Sequence, residues 1–169
     1  MSKLKLYRHA LSGHAHRVEL FISLLGLPVE LIDVDLANGE HFSEAFREKN
    51  AFSQVPVLED GELVFSDSHA ILHYLAQRYD ASGSWLPTDA VKAAEVQRFL
   101  AMAAGQAAYG PALARLVNVF GAELDHQAAI DLSHRWLSVL NEHLADKEWL
   151  VGSTATIADI ANYSYIAHA

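Results

Sequence analysis

The hydrophobic pattern of the first eighty residues alternates short strand-like runs with longer helix-like segments. The strand-like runs are residues 4–8, 29–36 and the two halves of 55–65, and the helix-like segments are residues 13–27, 40–50 and 66–79. Asp60-Gly61 divides the third run, and Asp-Gly between apolar residues is a strong hairpin signal. The pattern predicts the order β-α-β-α-β-β-α, with the first two strands parallel because a helix connects them.

The pattern changes after residue 79, and everything beyond the next few residues is helical. Residues 80–88 are rich in Gly, Ser and Pro and predict a linker. Helices are expected within 93–109, within 126–146 and from Thr156, where Thr156 and Asp159 form a capping box. The sequence therefore predicts an α/β domain over 1–79 and an all-α domain over 89–169.

Composition excludes several functions. With 12 Lys plus Arg against 21 Asp plus Glu, the formal net charge is −9, which disfavours binding to nucleic acid or to an anionic membrane. The chain has no cysteine, so neither a disulfide nor a protein thiol nucleophile is possible. The sequence shows no signal peptide and no apolar stretch long enough to span a bilayer, and we expect a cytoplasmic location.

These elements, together with Val55-Pro56, Asp67-Ser68 and the capping box, resemble a bacterial, cytosolic-type, serine-using glutathione S-transferase of the theta- or zeta-like kind. The resemblance implies a thioredoxin-like domain that binds glutathione as co-substrate, and a helical domain that supplies much of the second-substrate pocket. It also implies a homodimer and a role in detoxification. By the family's layout we expect the last few helices to be missing here.

The resemblance assigns two pairs of residues to the binding of glutathione. Val55 precedes a proline that is cis in the family, and its backbone pairs with the cysteinyl unit as an added strand would. Asp67 and Ser68 open a helix and hold the ammonium and carboxylate of the γ-glutamyl end. The alternatives are an ordinary trans Pro56 at the start of an edge strand, and plain helix capping by Asp67.

Two hydroxyls compete to stabilise the glutathione thiolate. Ser12 lies in a loop that runs into a helix and resembles the family's catalytic serine. Tyr7 is the rival, because other classes of the family use a tyrosine near the end of the first strand. We favour Ser12, since Tyr7 lies in an alternating strand and can simply pack. His14 is close enough to Ser12 to contribute a hydrogen-bond donor or a proton path, or to line the second-substrate pocket. The alternative is an ordinary polar surface position.

The remaining site residues follow from the same resemblance. His41 matches a family histidine that binds the glycine carboxylate of glutathione, although a surface position is equally compatible with the sequence, and Gln54 precedes the Val-Pro. Tyr109 is a candidate for the second-substrate pocket, with core packing as the alternative. His69 and His73 have the spacing of two zinc ligands, but the glutamate of an H-E-x-x-H motif does not follow His69, so we expect no metal.

The sequence thus predicts a glutathione transferase in which the thiolate attacks a small hydrophobic electrophile. Reduction of peroxides by glutathione is a possible minor activity. The alternative is a non-catalytic protein that uses the same fold to bind a ligand or a protein partner.

Overall fold

The computed structural model describes residues 4–168. The chain forms two compact units, Met1–Ala81 and Ser82–Ala169. The first is thioredoxin-like, with a four-stranded mixed sheet, and the second is entirely helical. In the described part of the chain, no helix is both long and apolar enough to cross a membrane.

The sheet of the first unit has the strand order β2-β1-β3-β4. Strand β1 (Leu4–Arg8) runs parallel to β2 (Val29–Asp33) and antiparallel to β3 (Val57–Asp60), which pairs antiparallel with β4 (Leu63–Ser66). The predicted order of strands and helices is confirmed. The parallel pairing of the first two strands is confirmed as well.

Two helices of the first unit pack on one face of this sheet. They are α1 (Gly13–Leu24) and α3 (Ser68–Tyr79). Their apolar residues recur at helical spacing and are fully buried together with the inward residues of β1 and β3: Leu6, Val18, Phe21, Leu58, Ile71 and Leu72. The apolar residues that set the pattern in the sequence are therefore the residues that form the core.

The opposite face carries a smaller cluster. Successive residues of a strand point to opposite faces, so Tyr7 and Val57, which pair in register, face away from Leu6 and Leu58. Val57 packs with Val34 and with Phe46 of the short helix α2 (Glu44–Lys49). A 3₁₀ turn, Glu40–Phe42, precedes α2.

The hairpin turn lies one residue later than the sequence suggests. Asp60 remains in β3 and pairs with Leu63, so the two-residue turn is Gly61-Glu62. The Asp60 carboxylate accepts hydrogen bonds from the hydroxyls of Tyr74, at 2.7 Å, and Tyr79. Burial, together with the bond to Asp60, raises the pKa of Tyr74 to about 12. These bonds tie α3 to the hairpin, which explains why Asp60 is retained in the strand.

The helical unit begins with a helix that is longer and less regular than predicted. Helix α4 (Ala90–Met102) continues through a π-helical segment, Ala103–Ala112, into α5 (Leu113–Phe120). Pro111 lies inside the π-helical segment, where the periodicity alone predicts an end near residue 109. Gly110 lets this segment approach α6 (His126–His143), the helix that carries Ser133, because a Cβ at Gly110 would lie 3.1 Å from the Ser133 nitrogen.

The last two helices are α6 (His126–His143) and α7 (Ile157–Ile166). The predicted capping box is confirmed: the Thr156 side chain accepts from Ala158 N–H at 3.3 Å, and Asp159 accepts from Thr156 N–H at 2.8 Å. Asp159 also accepts from Leu150 N–H at 2.9 Å. The start of α7 is therefore fixed to the chain that precedes it.

Candidate active site

Sheet topology brings three loops of the first unit to one edge. Tyr7, near the end of β1, pairs with Val57 at the start of β3, and Val57 pairs with Ser66 at the end of β4. The segments that leave the sheet at these points are residues 9–12, residues 53–56 and Asp67-Ser68. The candidates Ser12, Val55, Asp67 and Ser68 therefore lie at the same edge of the sheet, although up to 56 positions separate them in the sequence.

Ser12 is the N-cap of α1. Its Oγ accepts a hydrogen bond from Ala15 N–H at 3.2 Å, and its own N–H donates to the His9 carbonyl at 2.9 Å. The side chain is half-buried. Because the Oγ is held as an acceptor, its O–H remains available to donate outward. A hydroxyl donor at a helix N-terminus is well suited to stabilise an anion.

Tyr7 is engaged elsewhere. Its hydroxyl donates to Glu59 Oε1 at 3.0 Å, and its ring packs edge-on against Phe46. Lys49 binds the same Glu59 oxygen at 2.5 Å, and this hydrogen bond is the main cause that lowers the pKa of Glu59. Tyr7 therefore points into the α2 face of the sheet, with its only hydroxyl proton committed to a carboxylate. This arrangement favours Ser12 as the anion donor.

The Val55–Pro56 peptide bond is cis, as the resemblance predicts. Neither the N–H nor the C=O of Val55 is hydrogen-bonded to another described residue. Both backbone groups are therefore available to an added, strand-like ligand.

Asn50 holds the loop before Val55, and sequence reasoning missed it. This buried side chain donates from Nδ2 to the Gln54 carbonyl at 2.8 Å and accepts from Phe52 N–H at 3.0 Å. Between them, Ser53 adopts a left-handed conformation with φ of 55°. The available signal was an asparagine that ends a helix shortly before Val-Pro, where its amide can satisfy loop backbone groups.

Asp67 caps α3 in an unusual backbone conformation. Its Oδ1 accepts from His69 N–H at 2.9 Å and from Ala70 N–H at 3.0 Å, while φ is 69°. A positive φ is uncommon for a residue other than glycine, although Asp adopts it more readily than most, and strained conformations of this kind cluster at functional sites. The Asp67 side chain is exposed, whereas Ser68 is buried as the first residue of α3. The predicted capping is therefore present, and the carboxylate also remains accessible.

A buried arginine joins the ends of α1 and α3. Arg17 is 0% exposed, and its NH1 donates to Ser68 Oγ at 3.4 Å and contacts His69 Nε2. Burial is the main cause that lowers the pKa of His14 to about 4, with Arg17 and His69 contributing and Asp67 opposing. Burial and the charge of Arg17 lower the pKa of His69 to about 4 as well. Both imidazoles are therefore neutral at pH 7, and Arg17 is the cation of this cluster.

His41 and Gln54 lie near the same loops in the sequence but are less constrained. The His41 ring lies against Phe42, with 3.9 Å between ring centroids, and its buried Nδ1 has no hydrogen-bond partner among residues 4–168. Gln54 is exposed. Tyr109 belongs to the π-helical segment of the second unit and is 64% exposed, so its side chain is not part of a core.

The histidines do not converge on a metal. His73 is exposed on α3, while His69 contacts the buried Arg17. Among the residues that the structure describes, no group of three or more His, Asp or Glu side chains could hold a metal ion.

Comparison with known proteins identifies the family. Residues 2–77 match the model of the glutathione S-transferase N-terminal domain, and residues 97–169 match that of the C-terminal domain. The chain is 32% identical to glutathione S-transferase theta-2 of Mus musculus over 165 residues, an alignment that covers 93% of this chain and 68% of the relative. The chain belongs to the glutathione S-transferase family.

Solved structures agree with this assignment. A glutathione transferase homolog from Drosophila mojavensis, solved with bound glutathione, superposes with a TM-score of 0.90 at 32% identity, covering 99% of this chain and 77% of that one. A glutathione S-transferase from Pseudomonas fluorescens gives a TM-score of 0.91 at 28% identity, covering 99% and 84%. The thioredoxin-like and helical units are thus those of a glutathione transferase fold.

Proposed function

We propose that the protein is a glutathione transferase that conjugates the glutathione sulfur to small hydrophobic electrophiles. The observation that carries this proposal is the convergence of Ser12, the free backbone of Val55 and the capped pair Asp67-Ser68 at one edge of the sheet. Glutathione offers a thiol, a peptide backbone and a γ-glutamyl zwitterion to these three groups, in that order.

The γ-glutamyl end matches the first turn of α3. Ser68 supplies a hydroxyl and backbone N–H groups at a helix N-terminus, which suit a carboxylate. The accessible carboxylate of Asp67 suits the neighbouring ammonium. The N–H and C=O of Val55 then extend the sheet with the cysteinyl unit.

The chemistry requires a thiolate, because a free thiol with a pKa of ~8.5 is mostly protonated at neutral pH. In our proposal the Ser12 O–H donates to the sulfur, and the N-terminus of α1 adds its dipole. The thiol proton passes to solvent, the sulfur forms a bond to the electrophilic carbon, and the leaving group departs with the bonding electrons. Proximity of the two bound reactants supplies much of the remaining acceleration.

The glycine end and the second substrate are assigned on fewer contacts. The His41 Nδ1, which has no partner in the described chain, supports a role in binding the glycine carboxylate, with Gln54 beside it in the proposed site. Within the first unit, His14 is proposed to contact the electrophile. Tyr109, exposed on the second unit, stays a candidate for the second-substrate pocket.

A steady-state assay with glutathione and a generic aryl halide tests this function. We expect turnover that Ser12→Ala lowers by about 10²–10³, the usual effect of removing one oxyanion donor, while Tyr7→Phe retains most of it. Calorimetry with glutathione distinguishes the alternative. Binding without turnover, unaffected by Ser12→Ala, would indicate a non-catalytic binding protein. No binding of glutathione at all would exclude both the transferase and the proposed glutathione site.

The homodimer and the cytoplasmic location stay predictions. Helix α5 supports the dimer, because none of its residues is buried and Leu116, Val119 and Phe120 share an exposed apolar face. Sedimentation equilibrium of the purified chain tests the oligomeric state, and a monomer at all concentrations would contradict it.

A further inference from the structure

Arg17 is the least expected residue of the site, because a fully buried cation is expensive to desolvate. Its side chain is 0% exposed on the second turn of α1. A buried charge gives up its hydration, which is unfavourable unless its surroundings compensate for the loss. Apolar residues would fill the same volume without this penalty, so the guanidinium needs an explanation beyond packing.

The contacts of Arg17 reach the segment where the γ-glutamyl end is proposed to bind. NH1 donates to Ser68 Oγ at 3.4 Å and contacts His69 Nε2. A guanidinium can only donate hydrogen bonds, so both of these atoms must accept. The Ser68 hydroxyl is then left with its own proton to donate, and His69 must be the neutral tautomer with its proton on Nδ1.

Asp67 supplies a carboxylate close to this cluster. His14 and His69 are neutral at pH 7, and Asp67 is the acidic group that acts on both. Asp67 is exposed, and its Oδ1 is already used to cap α3. A second anion at the first turn of α3 would therefore be attracted by Arg17 and would meet a hydroxyl oriented to donate.

We propose that Arg17 is a positioning residue for glutathione, which through Ser68 and His69 orients the first turn of α3 to receive the γ-glutamyl carboxylate. Arg17 is too deeply buried to take part in the chemistry itself. This inference rests on the proposed function. Its role is to link the helix that carries Ser12 to the helix that carries Ser68, so that both ends of the substrate are held in one geometry.

A double-mutant cycle with Arg17→Met and Ser68→Ala tests the proposal. Isothermal titration calorimetry measures the Kd of S-methylglutathione, which retains the γ-glutamyl end but has no thiol. We expect each single variant to weaken binding about tenfold, and the double variant to bind no more than about threefold more weakly than the worse single variant. Effects that multiply in the double variant would overturn the proposal.

Kinetics separate positioning from a structural role. Arg17→Met should raise the KM for glutathione about tenfold and change kcat less than threefold, because the chemistry at Ser12 is left in place. If Arg17 had a purely structural role, Arg17→Met would lower the active fraction and hence kcat, with KM unchanged. That result would overturn the inference. Arg78→Met, at an exposed arginine of α3, is the matched control and should leave both parameters unchanged.

A second variant covers the case in which Arg17→Met does not fold. His69→Leu removes the acceptor of the same contact from the α3 side and keeps the buried cation. It should also raise the KM for glutathione, and an unchanged KM would overturn the proposal. Failure of the wild-type protein to bind S-methylglutathione would instead reject the proposed function, so the two failures are distinguishable.

Discussion

The neutral histidines beside Arg17 make the stability of the protein depend on pH in a defined direction. The pKa of His14 falls from 6.5 to about 4 on folding, and that of His69 does the same. Between pH 4 and pH 6.5 the unfolded chain therefore binds more protons than the folded chain. Stability rises with pH wherever the unfolded state is the more protonated. The free energy of unfolding should therefore decrease as the pH falls from 6.5 towards 4.

The magnitude follows from the size of the pKa change. The pKa of His14 is 6.5 in the unfolded chain and about 4 in the folded one. By linkage, the titration of His14 alone lowers the free energy of unfolding by about 2 kcal/mol between pH 7.5 and pH 5. His69 and Arg17 face His14 from the two helices, and Asp67 opposes them, so the two histidines titrate together. His14→Gln removes one titrating group and keeps a neutral polar side chain.

Urea unfolding at pH 7.5, 6.5, 5.5 and 5.0 measures this dependence. We expect the free energy of unfolding of the wild type to fall by about 2 kcal/mol more than that of His14→Gln over this range. The reason is that only the wild type has a histidine at this position that takes up a proton on unfolding. His73→Gln, at an exposed position on α3, is the matched control and should follow the wild type. Parallel profiles for the wild type and His14→Gln would refute the assignment of a buried, neutral His14.

Three further predictions concern the loops and the helical unit. Asn50→Ala should destabilise the fold by about 1–3 kcal/mol and raise the KM for glutathione, because two loop backbone groups lose their hydrogen-bond partner. Thermal unfolding measures the stability, and steady-state kinetics measures the KM. Ser53→Gly should stabilise by about 1 kcal/mol in urea unfolding, since glycine adopts φ of 55° without steric penalty; a loss would contradict the local strain. Gly105→Ala, with nothing within 4 Å of the new methyl group, should be at least as stable as the wild type, whereas Gly110→Ala should be less stable than Gly105→Ala by about 1–3 kcal/mol. Equal melting temperatures for the two variants would contradict the close approach of Gly110 to α6.

The alternation of apolar residues predicts the elements well, because the same side chains that set the pattern fill the core. Phe21 and Leu72, spaced for helices in the sequence, are fully buried in the structure. Boundaries set by tertiary contacts are harder to predict. The hairpin turn moves one residue because the tyrosines of α3 hold Asp60 in the strand. The helix beyond residue 109 continues because a π-helical segment accommodates Pro111.

The residues that support the site were the ones that sequence reasoning missed. Val55-Pro56 and Asp67-Ser68 are local motifs. Their functional groups are adjacent in the sequence, so the sequence alone can reveal them. Arg17 is different, because its contact with Ser68 joins residues 51 positions apart. In the sequence, Arg17 is simply a charged residue in a helix, and its burial depends on a partner helix that the local pattern does not specify.

Ser12 is proposed to hold the sulfur of bound glutathione as a thiolate. An ultraviolet difference titration of the wild-type complex, which follows thiolate absorbance against pH, measures the pKa of the bound thiol directly. We predict a value well below the ~8.5 of a free thiol in the wild type and in Tyr7→Phe, and a return towards ~8.5 in Ser12→Ala. A lowered thiol pKa that survives Ser12→Ala and is lost in Tyr7→Phe would contradict the proposed role of Ser12.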